Sequence, residues 1–299
     1  MSEFKMDFLC AGFNKCGTSS LHSVLKRIPE IQLPYNKKET LFFSWYDNFS
    51  DPISMFQKRY FPDYGSYSSE MILGAVEPSF MKHAEEVRKY FGKDIKLIFM
   101  LRNPADAIWS LFKMRLRRVK GRGYTNLYLA EHGNVEKMFR RYLKRFVRIE
   151  KDSDYFYDHW LNAFLHYYPR NQMQFVLFED YIQNYQHQME ELGRFLGFST
   201  DHLPRPRKQN VGNQISRNYI CAEINRKLCH YSIKARCRGT NEEVFLNQQV
   251  LPIIQTLTLK ECPVVLSEGN RNMALDIFRN SIIRTERLVD LPLEKRWCE

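Results

Sequence analysis

Gly12-Phe13-Asn14-Lys15-Cys16-Gly17-Thr18-Ser19 follows the apolar run from Asp7 to Phe13 and opens an apolar-periodic stretch, Thr18 to Leu25. The order predicts a buried strand, a glycine-flanked loop and a helix. A nucleotide-triphosphatase loop reads Gly-x4-Gly-Lys-Ser/Thr: its backbone N–H groups cradle phosphates, the Lys reaches the terminal phosphate and the hydroxyl holds Mg²⁺. Here Thr18 stands in the place of that Lys, and the cation left in the loop is Lys15, three residues earlier. The unit keeps what binds an anion at a helix N-terminus and lacks the usual apparatus for ATP hydrolysis.

A second stretch, Ile95 to Leu101 followed by Arg102-Asn103-Pro104 and Ser110, has the same logic. The apolar residues before Arg102 suit a buried parallel strand, and Pro104, with its fixed φ and no N–H to leave unpaired, suits the first turn of a helix. Arg102 then stands at the carboxyl end of a strand, the edge at which open α/β sheets bind ligands, and its planar fork matches a phosphate. Ser110, two turns up the helix, offers a hydroxyl to the same anion.

Taken together, Lys15-Cys16-Gly17-Thr18-Ser19-Ser20-Leu21 and Arg102-Asn103-Pro104-x5-Ser110 resemble the 5′-phosphosulfate loop and the 3′-phosphate motif of sulfotransferases that use 3′-phosphoadenosine 5′-phosphosulfate (PAPS). The resemblance continues through Tyr157 to Phe164, the strand Met173 to Phe178 ending in Glu179-Asp180-Tyr181, Phe195-Leu196-Gly197 and a final helix near 270–289, so it covers most of the chain. It implies an α/β, P-loop-like three-layer fold with a central parallel sheet flanked by helices. It also implies a PAPS site built from Lys15, Cys16, Gly17, Thr18, Ser19, Ser20, Arg102 and Ser110. Lys15 would neutralise charge on the departing 5′-phosphate. The N–H groups from Gly17 to Ser20 and the three hydroxyls would hold the other oxygens.

For the general base the resemblance points to Glu39. Lys37-Lys38-Glu39-Thr40-Leu41-Phe42-Phe43 is similar to the Lys-Glu-x-x-Phe-Phe segment in which carbohydrate sulfotransferases carry a catalytic glutamate. Histidine is the alternative base, with His22, His83 and His159 in regions that can approach the site. The chain departs from the family at Ala75-Val76-Glu77-Pro78, where glycan enzymes often have Glu-Lys-Ser/Thr-Pro, which leaves Glu77 to replace part of that function. A basic stretch from Arg205 to Arg217 is open to two readings, a flap over the nucleotide with Arg217 as its contact, or a surface loop.

Composition fits this assignment. With 44% hydrophobic and 26% charged residues in 299, the chain resembles an ordinary globular protein, and no Pro/Gly/Ser-rich linker divides it, so one domain over 1–299 is expected. Strand and helix patterns alternate: strands at 7–13, 31–33, 72–76 and 95–101, and helices at 18–27, 80–91 and 104–118. A further apolar stripe runs through Val135, Met138, Phe139, Tyr142, Phe146 and Ile149.

The seven cysteines include no C-x-x-C pair. The eight-residue spacing of Cys221, Cys229 and Cys237 is not that of structural zinc, so thiols and no metal are expected. The start leads straight into the first strand and no 18-residue apolar run occurs, which predicts a cytoplasmic protein, whereas Golgi carbohydrate sulfotransferases carry an N-terminal anchor.

The formal charge is +11, and Lys and Arg crowd a 113–151 segment read as a basic helical insertion. It is open to an anionic membrane, an acidic glycan, nucleic acid or the nucleotide alone. The expected acceptor is a saccharide or glycolipid, possible peripheral membrane contact included. No nucleic-acid partner is expected, because no established module is present. Two rivals stand beside this reading: a P-loop kinase, against which the absent lysine counts, and a basic RNA- or membrane-binding protein on a degenerate phosphate loop.

Overall fold

The apolar runs at Phe8–Gly12 (β1) and Lys96–Leu101 (β4) are buried almost throughout, as strands covered on both faces must be. The structure, a computed structural model, describes residues 4–35, 37–118, 126–127, 129–146, 154–206, 214–238, 250–261 and 264–298. Between β1 and β4 come α1 (Thr18–Leu25), β2 (Ile31–Gln32), α2 (Pro52–Tyr60), β3 (Ile72–Val76) and α3 (Ala84–Phe91). After them come α4 (Pro104–Arg118), α5 (Val135–Phe146), α6 (Tyr157–Tyr167), β5 (Met173–Leu177), α7 (Phe178–Gln183) and α8 (Tyr185–Leu196). The chain continues through β6 (Gln214–Ser216), α9 (Tyr219–Arg238), α10 (Leu251–Thr258), β7 (Leu259–Glu261), α11 (Glu268–Val289) and α12 (Leu293–Cys298).

The chain packs as two compact units. The first takes Met1–Asn103, Asp154–Gln209 and Arg279–Glu299, and the second Pro104–Ser153 and Asn210–Phe278. The first holds a five-stranded sheet in the order β2-β3-β1-β4-β5, every pairing parallel. The chain leaves β1 toward β2 and leaves β4 toward β5, so the sheet's switch point lies between β1 and β4, where open α/β sheets bind ligands. β1 and β3 approach closely at Gly74, where a Cβ would lie 2.1 Å from the Phe8 ring. Phe99 fills the core between Phe164 and Phe175, at ring distances of 5.1 and 5.8 Å.

The expected helix at 80–91 is shorter and broken. Pro78 starts a 3-10 turn to Lys82, and His83, at φ −129°, leaves helical geometry before α3 begins.

In the second unit, Trp109 and Phe112 of α4 pack on Phe139 of α5 at 4.8 and 5.1 Å. The stripe on α5 is buried at Val135, Met138, Phe139 and Tyr142, joined by Leu143; the Phe146 side chain and Ile149 lie outside the described residues. Asp106 of α4 accepts from both terminal guanidinium nitrogens of Arg271, at 2.6 and 3.1 Å. β6 and β7 pair antiparallel, and the Arg217 N–H donates to the Thr258 carbonyl at 2.8 Å. Of the basic segment, 119–125, 128 and 147–151 lie outside the described residues, as do 207–213 of the basic loop and the side chains of Cys229, His230 and Cys237. No helix among the described residues is long and apolar enough to cross a membrane.

Candidate active site

The loop between β1 and α1 turns on two left-handed residues, Lys15 at φ 64° and Gly17 at φ 93°. Glycine is required at 17 on a second count: a Cβ there would lie 2.5 Å from the Phe178 ring and 3.1 Å from the Met100 methyl. Gly17 caps α1, and a helix offers its first-turn N–H groups no carbonyl within the helix, so Thr18 and Ser19 present donors at the positive end of the dipole. The Ser20 N–H is already bonded to the Gly17 carbonyl at 2.9 Å, and its hydroxyl lies 3.3 Å from the Tyr181 hydroxyl. Asn14 is pinned by Asp154, its Nδ2 donating to Oδ2 at 2.8 Å.

Cys16 differs from its neighbours. Its thiol is buried beside the Tyr157 hydroxyl, 3.4 Å away, and burial pushes it up to about 12. The thiol therefore stays protonated, and any part Cys16 takes in holding a ligand falls to its backbone.

Arg102 follows β4 directly across the switch point. Its Nη1 donates to the Lys15 carbonyl at 3.1 Å, and its guanidinium lies 4.6 Å from the centre of the Phe178 ring. The Tyr157 hydroxyl donates to the Arg102 carbonyl at 2.8 Å, and Glu179 Oε1 accepts the Asn103 N–H at 2.9 Å. One tyrosine thus ties the Cys16 thiol to the end of β4. Tyr157, Phe178 and Glu179 lie in stretches that carry the family resemblance, but their part as supports of the loop and of Arg102 was not legible.

The 38–41 segment brings a second cation to the loop. Lys38 Nζ lies 3.5 Å from the buried Thr18 hydroxyl and 2.8 Å from Glu39 Oε1. Glu39 is 39% exposed, whereas Glu77 is fully buried. Glu77 Oε2 accepts the Thr40 N–H, the Thr40 hydroxyl at 2.9 Å and the Leu41 N–H at 3.3 Å. Its Oε1 accepts the Ser79 hydroxyl at 2.6 Å. The resemblance left Glu77 as a partial stand-in near the acceptor; instead it is turned inward, because its carboxylate satisfies the loop's N–H groups. Burial raises Glu77 to about 7, with the Ser79 bond opposing and the Glu39 charge adding.

The structure therefore gathers Lys15, Cys16, Gly17, Thr18, Ser19, Ser20, Lys38, Glu39 and Arg102 within the first unit. Ser110, on α4, and Arg217, beside β6, belong to the second. Of the alternative bases, His22 is depressed to about 4, first by burial and then by Lys38 and Lys26, and so is neutral near pH 7. His83 stacks on Phe43 at 4.5 Å with its Nδ1 3.5 Å from Glu86, and His159 is exposed beside Trp160.

A helix N-terminus with backbone donors, an arginine at the adjoining strand end and a Lys–Glu pair thus lie together in the first unit. The sulfotransferase domain family matches residues 5–236, and the chain belongs to that family: it is a transferase that moves a sulfo group. Among solved structures it is similar to a sulfotransferase from Alicyclobacillus acidocaldarius, at 19% identity and TM-score 0.60, over 99% of this chain and 100% of that one. It also matches the sulfotransferase domain of the Synechococcus PCC 7002 olefin synthase at 13% identity and TM-score 0.41, over 92% and 96% of the two chains. A mouse sulfotransferase, SULT7A1 complexed with PAP, matches at 13% identity and TM-score 0.33, over 99% and 82%. No curated protein matches the sequence significantly.

Proposed function

We propose that the chain transfers the sulfo group of PAPS to a hydroxyl of a carbohydrate or glycolipid, with Lys15 stabilising the leaving phosphate and Glu39 as general base. The observation that carries this reading is the bond from Arg102 to the Lys15 carbonyl. It couples the phosphate loop to the arginine strand end at the sheet's switch point, so that two cations serve one nucleotide.

Sulfuryl transfer asks the protein for alignment and charge more than for covalent chemistry. Lys15 neutralises charge growing on the bridging oxygen as the sulfur–oxygen bond of the donor breaks. The N–H groups and hydroxyls of Thr18 and Ser19, with the Ser20 hydroxyl, hold the 5′ oxygens, and Arg102 holds the 3′-phosphate. Glu39 accepts the proton of the attacking hydroxyl, with Lys38 orienting its carboxylate. Cationic side chains do here what a metal ion does in a nucleotide triphosphatase, so no metal is assigned. For Ser110 and Arg217 as nucleotide contacts the reading rests on the sequence motif and the basic loop alone. The family match spans segments of both compact units, which supports treating 1–299 as one catalytic domain. Placement in the cytoplasm stays part of the proposal.

The test is a transfer assay with radiolabelled PAPS across glycans, glycolipids and phenols. Labelling of a sugar hydroxyl is expected; labelling confined to phenols overturns the carbohydrate assignment.

A further inference from the structure

We propose that Glu77 is a positioning residue, a buried carboxylate latch that fixes the Lys38–Leu41 segment and so sets Glu39 at the mouth of the phosphate loop. This rests on Glu39 being the base.

The geometry is more than a chance burial. The Glu77 N–H is bonded to the Cys10 carbonyl at 2.9 Å, so its backbone is fixed to β1. One oxygen takes all three donors of Thr40 and Leu41. The Thr40 carbonyl, on the other side, accepts from the Tyr60 hydroxyl and the Trp45 indole N–H, each at 3.0 Å. Leu41 is held at φ 52°, a conformation a leucine keeps only when its surroundings impose it. Phe42 is buried among Phe80, Phe56 and Phe91, at ring distances of 6.3, 5.2 and 5.5 Å. Glu39 is thereby the half-exposed side chain of a segment whose following residues are clamped from both sides.

A neutral acceptor could hold a loop at lower cost, since burying an unpaired carboxylate is expensive. Among the described residues no Lys or Arg forms an ion pair with Glu77. The titratable groups whose charge couples to it are Glu39, from the segment it holds, and Tyr60 of α2, while Lys38 of that same segment is paired to Glu39. The carboxylate therefore titrates near neutrality, at about 7. Hydrogen bonds to an ionised acceptor are roughly twice as strong as neutral ones, so protonation loosens the grip on Thr40 and Leu41. Turnover at saturating donor should rise with pH as Glu77 ionises.

The experiment uses the full chain with PAPS and its best acceptor, and four variants: Glu77→Gln, Thr40→Val, Glu39→Gln and the double Glu77→Gln/Glu39→Gln. Expected for Glu77→Gln is a kcat lower by about 10–100-fold, as for misplaced catalytic groups, with donor KM and adenosine 3′,5′-bisphosphate affinity unchanged and the acid limb near neutrality gone. Thr40→Val, which removes one donor, shifts kcat less and in the same direction, and decides the matter if Glu77→Gln does not fold. The double variant is no slower than Glu39→Gln, because Glu77 acts through Glu39. Multiplying effects, or a raised donor KM at unchanged kcat, overturn the proposal. The Thr40 amide resonance separates the two claims. It should titrate near pH 7 in the native protein, at lower pH in Glu39→Gln, and not at all in Glu77→Gln. An active Glu39→Gln removes the base, whereas a Thr40 resonance that does not titrate removes the latch.

Discussion

The phosphate loop at residues 12–20 and the acceptor-side segment at 38–41 serve one site and are shaped by opposite means. The loop is held by its own backbone: two left-handed residues, a glycine that admits no side chain, and a helix whose first N–H groups face outward. The segment has one left-handed residue, Leu41, and no glycine to permit it. It is held by a carboxylate 37 residues further along the chain, buried at the end of another strand. A loop shaped by its backbone has no buried acid whose titration moves it, whereas a segment positioned by a buried acid carries that acid's titration with it.

The largest effect that sharpens this contrast belongs to Glu39. Glu39→Gln keeps the shape and removes a base, so transfer should fall by roughly 10²–10⁴-fold with nucleotide affinity near normal; loss of nucleotide affinity instead would assign Glu39 to the donor. Gly17→Ala should break the loop, since it puts a side chain at φ 93° and against Phe178. The cost should be on the order of 2–4 kcal/mol, read by urea denaturation together with lost nucleotide binding; a stable, active variant contradicts the close fit.

Arg102→Ala removes a charge-assisted contact and should weaken bisphosphate binding by roughly 2–3 kcal/mol, measured by calorimetry. Unchanged binding would take Arg102 out of the site.

Smaller, and confined to the segment, is the effect of pH on stability. Glu77 is raised from 4.5 to about 7, so the folded state binds a proton that the unfolded state releases. Its contribution is therefore fully present below about 4.5 and is lost as pH rises through about 7. Denaturation midpoints at pH 5, 6 and 7 should fall relative to those of Glu77→Gln, and parallel curves would mean that Glu77 does not titrate there. Stability falls over the interval in which the latch gains its charge.

The contrast also explains what could be read from the sequence. The sheet, the loop and Arg102 were legible because each is local: an apolar run, a glycine spacing, a strand end before proline. The strand 72–76 and the helix 104–118 emerged with the bounds their sequence suggests. Pairings distant in sequence were not legible. Nothing around Glu77 says that its carboxylate meets Thr40, nothing around Phe178 says that it underlies Gly17 and Arg102, and the spacing of Lys38 from Thr18 gives no hint that the two touch. The break at His83 was missed because Ala84, Val87 and Phe91 continue the apolar period that Phe80 begins.

The central claim is that the loop and Arg102 grip the two ends of one nucleotide, and calorimetry in the presence of a chelator tests it most directly. Adenosine 3′,5′-bisphosphate should bind without divalent cations and raise the melting temperature, with ATP far weaker under the same conditions. Binding of ATP with Mg²⁺ and none of the bisphosphate would contradict the account.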